Sequence, residues 1–231
     1  MHFKRQTAVL ISGGLDSAIL VSRLLTKKLV VQPVYFQSGH VWEKAELYWL
    51  KRFLKSIRTH CLKPLEVLSC STDDLYKTHW SMTGKKIPGA KSSDLKVYLP
   101  GKNLLLITKA AVYCSLNKIS VLALGPLGTN PFPDARASFF KNLERVCSEG
   151  LNFKLRIRTP FLERNKNEVV KLGKKLPLHL TFSCLNPHPP LSPGKKDGVR
   201  EYIHCGQCNK CAERKKAFRN ARIPDLTPYA H

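Results

Sequence analysis

The sequence predicts an α/β fold: a doubly wound parallel sheet with helices on both faces, followed by a C-terminal helical region built around four cysteines. Three observations carry this expectation. Short β-like apolar runs alternate with helical patterns between residues 7 and 158, the pattern of repeated strand–helix–strand units. A Gly-Gly turn follows the first apolar run at once, where such folds place ligand loops. Near the C-terminus, cysteines recur at metal-ligand spacing.

The elements follow in order. Residues 7–11 (TAVLI) form the first strand, and a helical pattern runs over 17–27. Residues 30–36 (VVQPVYF) read as the second strand, although Pro33 cannot donate to a ladder. Leu47, Leu50, Leu54 and Ile57 recur at helical spacing within 42–57, and 65–68 is a weak third strand. Residues 71–101 carry Gly84, Pro88, Gly89 and Pro100 and read as a long irregular connection, which suits a lid over a site. A largely apolar helix over 103–116, a buried strand over 121–124, a helix over 135–148 and an outer strand over 154–158 complete the sheet region. One more helix follows Lys166, then a Pro-rich loop over 185–204 and a final helix over 208–221. The expected division is an α/β domain over 1–165 and a helical metal-binding region over 166–231.

At 231 residues the chain is long enough to bury a core, and its 43% hydrophobic and 24% charged content is that of a globular protein. No apolar run is long enough to span a bilayer, and the stretch over 8–11 is too short for a signal-peptide core. The expectation is a cytoplasmic protein with no membrane contact. The net charge of +23 is spread through the body: successive thirds carry about +6, +7 and +10. Such a field attracts an acidic protein or nucleic acid, but an evenly basic surface that meets only nucleotide phosphates reads equally well.

Eight cysteines divide into two groups. Cys61, Cys70, Cys114 and Cys147 are scattered and read as small buried hydrophobes. Cys205, Cys208 and Cys211 lie at two successive C-x-x-C spacings, and Cys184 can return across the loop to complete a tetrahedron. A disulfide framework would need an oxidising compartment. An iron–sulfur cluster is the competitor, but the x3-C-P continuation of ferredoxin-type ligation is absent. The expectation is one structural Zn2+ per chain.

Ser12-Gly13-Gly14-Leu15-Asp16-Ser17 sits between a strand and a helix. Its glycines let backbone N–H groups converge on an anion, the helix start adds its positive dipole end, and both serine hydroxyls can donate. No Walker A pattern is present. An ordinary Gly-Gly turn with a serine cap is the plainer alternative, weakened by its position after the first strand.

These six residues resemble the PP-loop of the ATP pyrophosphatases, which include GMP synthetase, asparagine synthetase and tRNA thiolation enzymes. Further segments resemble the 7-cyano-7-deazaguanine synthase family. They are Phe36-Gln37-Ser38-Gly39-His40, Pro100-Gly101-Lys102-Asn103, Phe132-Pro133-Asp134-Ala135-Arg136, Thr159-Pro160-Phe161, Lys166-Asn167-Glu168, the four cysteines, and the closing Ile223-Pro224-Asp225-Leu226-Thr227-Pro228-Tyr229. The resemblance implies a five-stranded parallel sheet and cleavage of ATP between its α- and β-phosphates, with Mg2+. It implies an ATP site at Ser12, Gly13, Gly14, Leu15, Asp16, Ser17, Phe36 and Gly39, with Asp16, Ser17, Lys102, Asp134 and Arg136 catalytic. It also implies a 7-deazaguanine carboxylate as substrate, met by Lys102, Asn103, Phe132, Asp134 and Arg136, and a homodimer. Departures cluster on the substrate side. Lys102 stands where the family has arginine, Ala135 replaces a cysteine, and Gly125 to Pro131 replaces a more polar segment. The amine acceptor is therefore open between ammonia, a protein amine in a defence or modification system, and the chemistry of a tRNA-modifying relative.

Overall fold

The computed structural model describes residues 6–188 and 202–230. Five parallel strands form one sheet: β1 (Gln6–Leu10), β2 (Val30–Gln37), β3 (Glu66–Ser69), β4 (Val121–Ala123) and β5 (Arg156–Arg158), in the order β3-β2-β1-β4-β5. The strands succeed one another outward from β1 in both directions. The crevice between the ends of β1 and β4 is therefore the topological switch point, where open α/β sheets bind ligands.

Both faces of the sheet are covered, and the central strands alternate their side chains between two cores. Val9 and Ile11 join Val31 and Tyr35 on one face, against α1 (Leu15–Thr26), α2 (Glu43–Ser56), α7 (Lys166–Leu172) and α8 (Asn209–Ala221). Ala8, Val34 and Phe36 lie on the other, against α5 (Lys102–Leu116) and α6 (Ala137–Gly150). This two-sided burial explains why β1 and β2 read as continuous apolar runs.

Pro33 is accommodated by register. The carbonyl of Val34 faces β1, accepting the Ile11 N–H at 2.9 Å, so its neighbour Pro33 faces the β3 side. The β3 ladder begins only at Val34 opposite Glu66, so the missing proline N–H interrupts nothing.

The structure trims three sequence expectations. The helix expected over 135–148 begins at Ala137, because Pro133–Ala135 turns separately as a 3-10 segment. The outer strand expected over 154–158 is confined to Arg156–Arg158. The connection over 71–101 is not irregular throughout: it contains α3 (Asp73–Tyr76), α4 (Trp80–Thr83) and a 3-10 turn at Asp94–Val97. It is tied to the metal region, since the Asn209 N–H donates to Pro88 O at 2.9 Å and its side chain donates to Ser92 O at 2.9 Å. Most of the Pro-rich loop expected over 185–204 lies outside the described residues.

Helix α7 begins with a full capping box, in which Asn165 accepts from the Glu168 N–H at 3.1 Å and Glu168 accepts from the Asn165 N–H at 2.8 Å. Its far end passes close to α1 at Gly173, where a Cβ would meet Ile19 Cγ1 at 2.7 Å. Ile19 is fully buried and has no room to yield. Gly173→Ala should therefore cost about 1–3 kcal/mol by overpacking, read as a lower urea midpoint with an unchanged slope.

Candidate active site and metal centre

A cavity of about 390 Å3 opens at the switch point. Ser12, Gly14 and Asp16 of the Gly-Gly turn line it, as do Lys102, Asn103, Phe132 and Asp134. The departing segment contributes Gly125, Pro126, Leu127, Thr129, Asn130 and Pro131. Of the remaining site residues expected from sequence, Gly13 and Ser17 shape the turn without lining the cavity. Gly13 has φ +76° and its carbonyl accepts from Phe182 N–H at 2.8 Å, while Ser17 Oγ donates to Gly14 O at 3.2 Å. Phe36 is buried in the core against α5. Gly39, at φ +91°, lies under Met82, and its N–H donates to Glu43 at 3.0 Å. Arg136 caps α6 in extended conformation and is exposed outside the cavity, because the turn at Pro133–Ala135 carries the chain away.

The turn is built for a close neighbour. A Cβ on Gly125 would meet the Asp16 backbone at 3.3 Å, so glycine lets β4 end this near the start of α1 without crowding it. Asp16 Oδ2 accepts from Lys166 Nζ at 2.6 Å, whereas Asp16 Oδ1 is buried with no hydrogen-bond partner. Lys166 Nζ also lies 3.4 Å from Glu213 Oε1, and Lys210 Nζ lies 2.6 Å from Glu213 Oε2. Burial alone would lower the Lys166 pKa, but the Asp16 and Glu213 carboxylates outweigh it and hold the ammonium charged. Burial would raise Glu213, but Lys166 and Lys210 pull it down to about 2.

Asp134 closes the opposite end. Its Oδ2 accepts the Asn103 N–H at 3.1 Å at the start of α5, a carboxylate on a helix N-terminus, while Asn103 Nδ2 donates to the Asp134 carbonyl at 3.0 Å. Oδ1 of Asp134 is again buried without a partner, and burial raises the carboxyl's pKa. Between these ends the wall is aromatic. Trp42, Trp80, Tyr98 and Phe132 all line it, with Tyr98 and Phe132 rings 4.9 Å apart. Lys102 Nζ sits 5.6 Å over the Trp42 ring, and burial lowers its pKa against the opposing pull of Glu46 and Glu43. Glu46, on α2 beside Gly13, accepts from Tyr35 Oη at 2.8 Å. Burial pushes its carboxyl up to about 7, with Lys102 and Tyr35 opposing and Glu43 adding.

Cys184, Cys205, Cys208 and Cys211 converge in one buried cluster whose ligand atoms all lie within 4.8 Å of one another. The sulfurs of Cys205 and Cys211 are 3.9 Å apart and those of Cys208 and Cys184 are 4.0 Å apart. A tetrahedron of about 2.3 Å Zn–S bonds needs edges of about 3.8 Å, so the four fit zinc. Backbone N–H groups of Leu185, Asn186, Cys205, Gln207 and Cys208 point at the sulfurs at 3.2–3.4 Å, placing donors where thiolate charge would lie. Cys184 and Leu185 also line the cavity, so the metal cluster backs the active-site wall. Fully buried Arg214 braces the same region, donating to Thr181, Thr227 and the Leu178 carbonyl at 2.7–2.9 Å.

Lys166, Lys210, Glu213, Glu46 and the two tryptophans were not assigned to the site from sequence. Lys166 sits in a recognised motif, which was the available signal. For the tryptophans no local pattern exists: Trp42 stands just before α2 and Trp80 in the segment over 71–101, and only tertiary packing brings both to the cavity.

The family model described as "Queuosine biosynthesis protein QueC" matches residues 6–222. Among curated relatives, the 7-cyano-7-deazaguanine synthase of Methanococcus aeolicus is 25% identical, over 95% of this chain and 97% of its own length. That of Methanococcus maripaludis is 27% identical over 95% of this chain and 96% of its own. That of Leptospira interrogans is 28% identical over 95% of this chain and 89% of its own.

Two outcomes are expected. The purified protein should be colourless with one zinc per chain, and chelation should lower Tm by more than about 10 °C, because structural zinc contributes directly to folding; a brown, iron-containing protein contradicts this. Glu46, whose folded pKa is raised, contributes stability that is full below about pH 4.5 and lost as pH rises through about 7. Glu46→Gln keeps an acceptor for Tyr35 and removes that loss. It should be more stable than the parent at pH 8 by about 1–2 kcal/mol and no more stable at pH 4, by urea titration at both values.

The match over nearly the whole chain, with the phosphate turn and the four-cysteine cluster in their places, puts this protein in the QueC family.

Proposed function

We propose that this cavity activates the carboxylate of a 7-deazaguanine with ATP and passes the acyl group to an amine. As a QueC-family chain, the protein is an ATP-dependent ligase of the 7-cyano-7-deazaguanine synthase type. A carboxylate is a poor acyl donor because oxide would have to leave; ATP supplies AMP as the leaving group and pyrophosphate as by-product. The observation that carries this reading is the union, in one cavity, of the Gly-Gly turn, two buried unpartnered carboxylate oxygens and an aromatic wall.

Roles follow from placement. Ser12, Gly14 and Leu15, which line the cavity, would cradle the polyphosphate with backbone N–H groups and the Ser12 hydroxyl, on a turn that Gly13 and Ser17 shape. Five carboxylates (Asp16, Glu46, Asp94, Asp134, Glu213) and four cations (Lys102, Lys166, Lys210, Arg214) line the cavity, so the +23 of the chain is not focused there. A triphosphate entering such balanced walls needs a divalent cation, and the free Asp16 Oδ1 is the oxygen placed to hold Mg2+. Trp42, Trp80, Tyr98 and Phe132 offer faces to a flat heterocycle, and Asp134 Oδ1 can accept from its ring N–H groups. Lys102 is placed to meet the substrate carboxylate or the developing charge on phosphate. Zn2+, held by the four cysteines, has the structural role of keeping the wall.

A second reading keeps this activation and changes the acceptor from ammonia to an amine of an acidic protein or another macromolecule. The wall over 125–131 supports it: Asn130 Oδ1 is spent on the Phe132 N–H at 3.0 Å, so this stretch offers few side-chain acceptors of its own. A wall of that kind adds little discrimination among amine acceptors.

Incubation with ATP, 7-carboxy-7-deazaguanine and ammonium, followed by mass spectrometry, decides between these. AMP and pyrophosphate should form, Asp16→Ala should reduce them at least about 100-fold, and nitrile should accumulate slowly. ADP and orthophosphate as products contradict the activation, and rapid nitrile formation removes the second reading.

A further inference from the structure

We propose that Glu213 is a positioning residue that couples the four-cysteine metal site to ATP binding, acting through Lys166 on Asp16. The proposal rests on the reading of the Gly-Gly turn as the ATP site and extends it to the metal.

The connection is short and continuous. Cys208 is the N-cap of α8 and Cys211 lies in its first turn, so the metal ligands fix where that turn sits. Glu213 follows two residues later. Its two oxygens are both engaged, Oε2 by Lys210 at 2.6 Å and Oε1 by Lys166 at 3.4 Å. Lys166 is the first residue of α7, and its ammonium reaches Asp16 Oδ2 at 2.6 Å. The side chains of Lys166, Asp16 and Glu213 are only 20%, 23% and 30% exposed, so their attractions are less screened than those of surface pairs. Lys166 thus holds one oxygen of Asp16 and leaves Oδ1 free, and Glu213 holds Lys166.

If the cysteine cluster opens, the first turn of α8 is released and Glu213 moves with it. Lys166 then has Asp16 as its remaining carboxylate and neutralises the oxygens meant for the nucleotide's cation. Linkage makes the effect reciprocal: whatever the metal does for nucleotide affinity, nucleotide does for metal affinity. A competing route exists, because Cys184 and Leu185 line the cavity directly. The two routes differ in whether Glu213 is needed.

The test uses full-length, zinc-loaded protein and follows zinc transfer to a chromogenic chelator, with and without Mg2+ and α,β-methylene-ATP. In the parent, nucleotide should slow zinc release about fivefold or more. In Glu213→Gln, with one zinc still bound and Tm within a few degrees of the parent, the slowing should fall below about twofold. Lys166→Met should lose it likewise, which serves if the Glu213 variant does not fold, and Lys166→Arg should restore part of it. Undiminished slowing in Glu213→Gln or Lys166→Met overturns the proposal in favour of the direct wall. A parent that binds nucleotide by calorimetry without slowed release overturns it as well. A parent that binds no nucleotide overturns the ATP reading instead, and this proposal with it.

Discussion

Four cysteine sulfurs meet at one buried point, and the C-terminal third of this protein is arranged around it. Among the described residues no strand of the sheet lies beyond β5, and α8 packs on α7 and enters the junction of Cys184 with Cys205, Cys208 and Cys211. The rest of the site depends on that junction. Leu185 and Ser183 stand beside Cys184 in the cavity wall, and Lys210, Glu213 and Arg214 reach the cavity from the helix that Cys208 caps and whose first turn carries Cys211. Asn209 ties the segment over 71–101 to the same helix, which brings Trp80, Val97 and Tyr98 to the opposite wall. A pocket assembled from distant segments needs a fixed point, and a cation held by the four cysteines would supply one.

Charge is arranged on two scales. The surface is basic throughout, which favours encounter with anions at long range. The cavity is locally balanced, with the lysines already paired or stacked: Lys166 on Asp16 and Glu213, Lys210 on Glu213, Lys102 over Trp42. Anion binding there is therefore an exchange of partners. One carboxylate oxygen each of Asp16 and Asp134 is buried there without a hydrogen-bond partner.

The sheet was legible from sequence because β1, β2 and β4 are buried on both faces and their runs are mostly apolar, with Gln32 a buried polar exception in β2. The Gly-Gly turn between β1 and α1 and the cysteine cluster were legible because each is written in local spacing. The length of β5 was not. Glu144 of α6 takes the Ile157 N–H at 2.6 Å and the Arg156 guanidinium at 3.0 Å, so the edge is satisfied by a side chain and only three residues pair. The aromatic wall was hidden for another reason. Trp42 and Trp80 stack at 5.7 Å, a contact between segments that no periodicity links. Lys166 and Glu213 lie on different helices, and only the packing of α7 against α8 brings them together.

The central claim is that the substrate carboxylate attacks the α-phosphate of a nucleotide held at the Gly-Gly turn. The most direct measurement supplies 7-carboxy-7-deazaguanine labelled with oxygen-18 in its carboxylate and follows the label by mass spectrometry of the phosphate products. Adenylylation predicts oxygen-18 in AMP and none in pyrophosphate. Label in orthophosphate released alongside ADP, or AMP without label, would contradict the account.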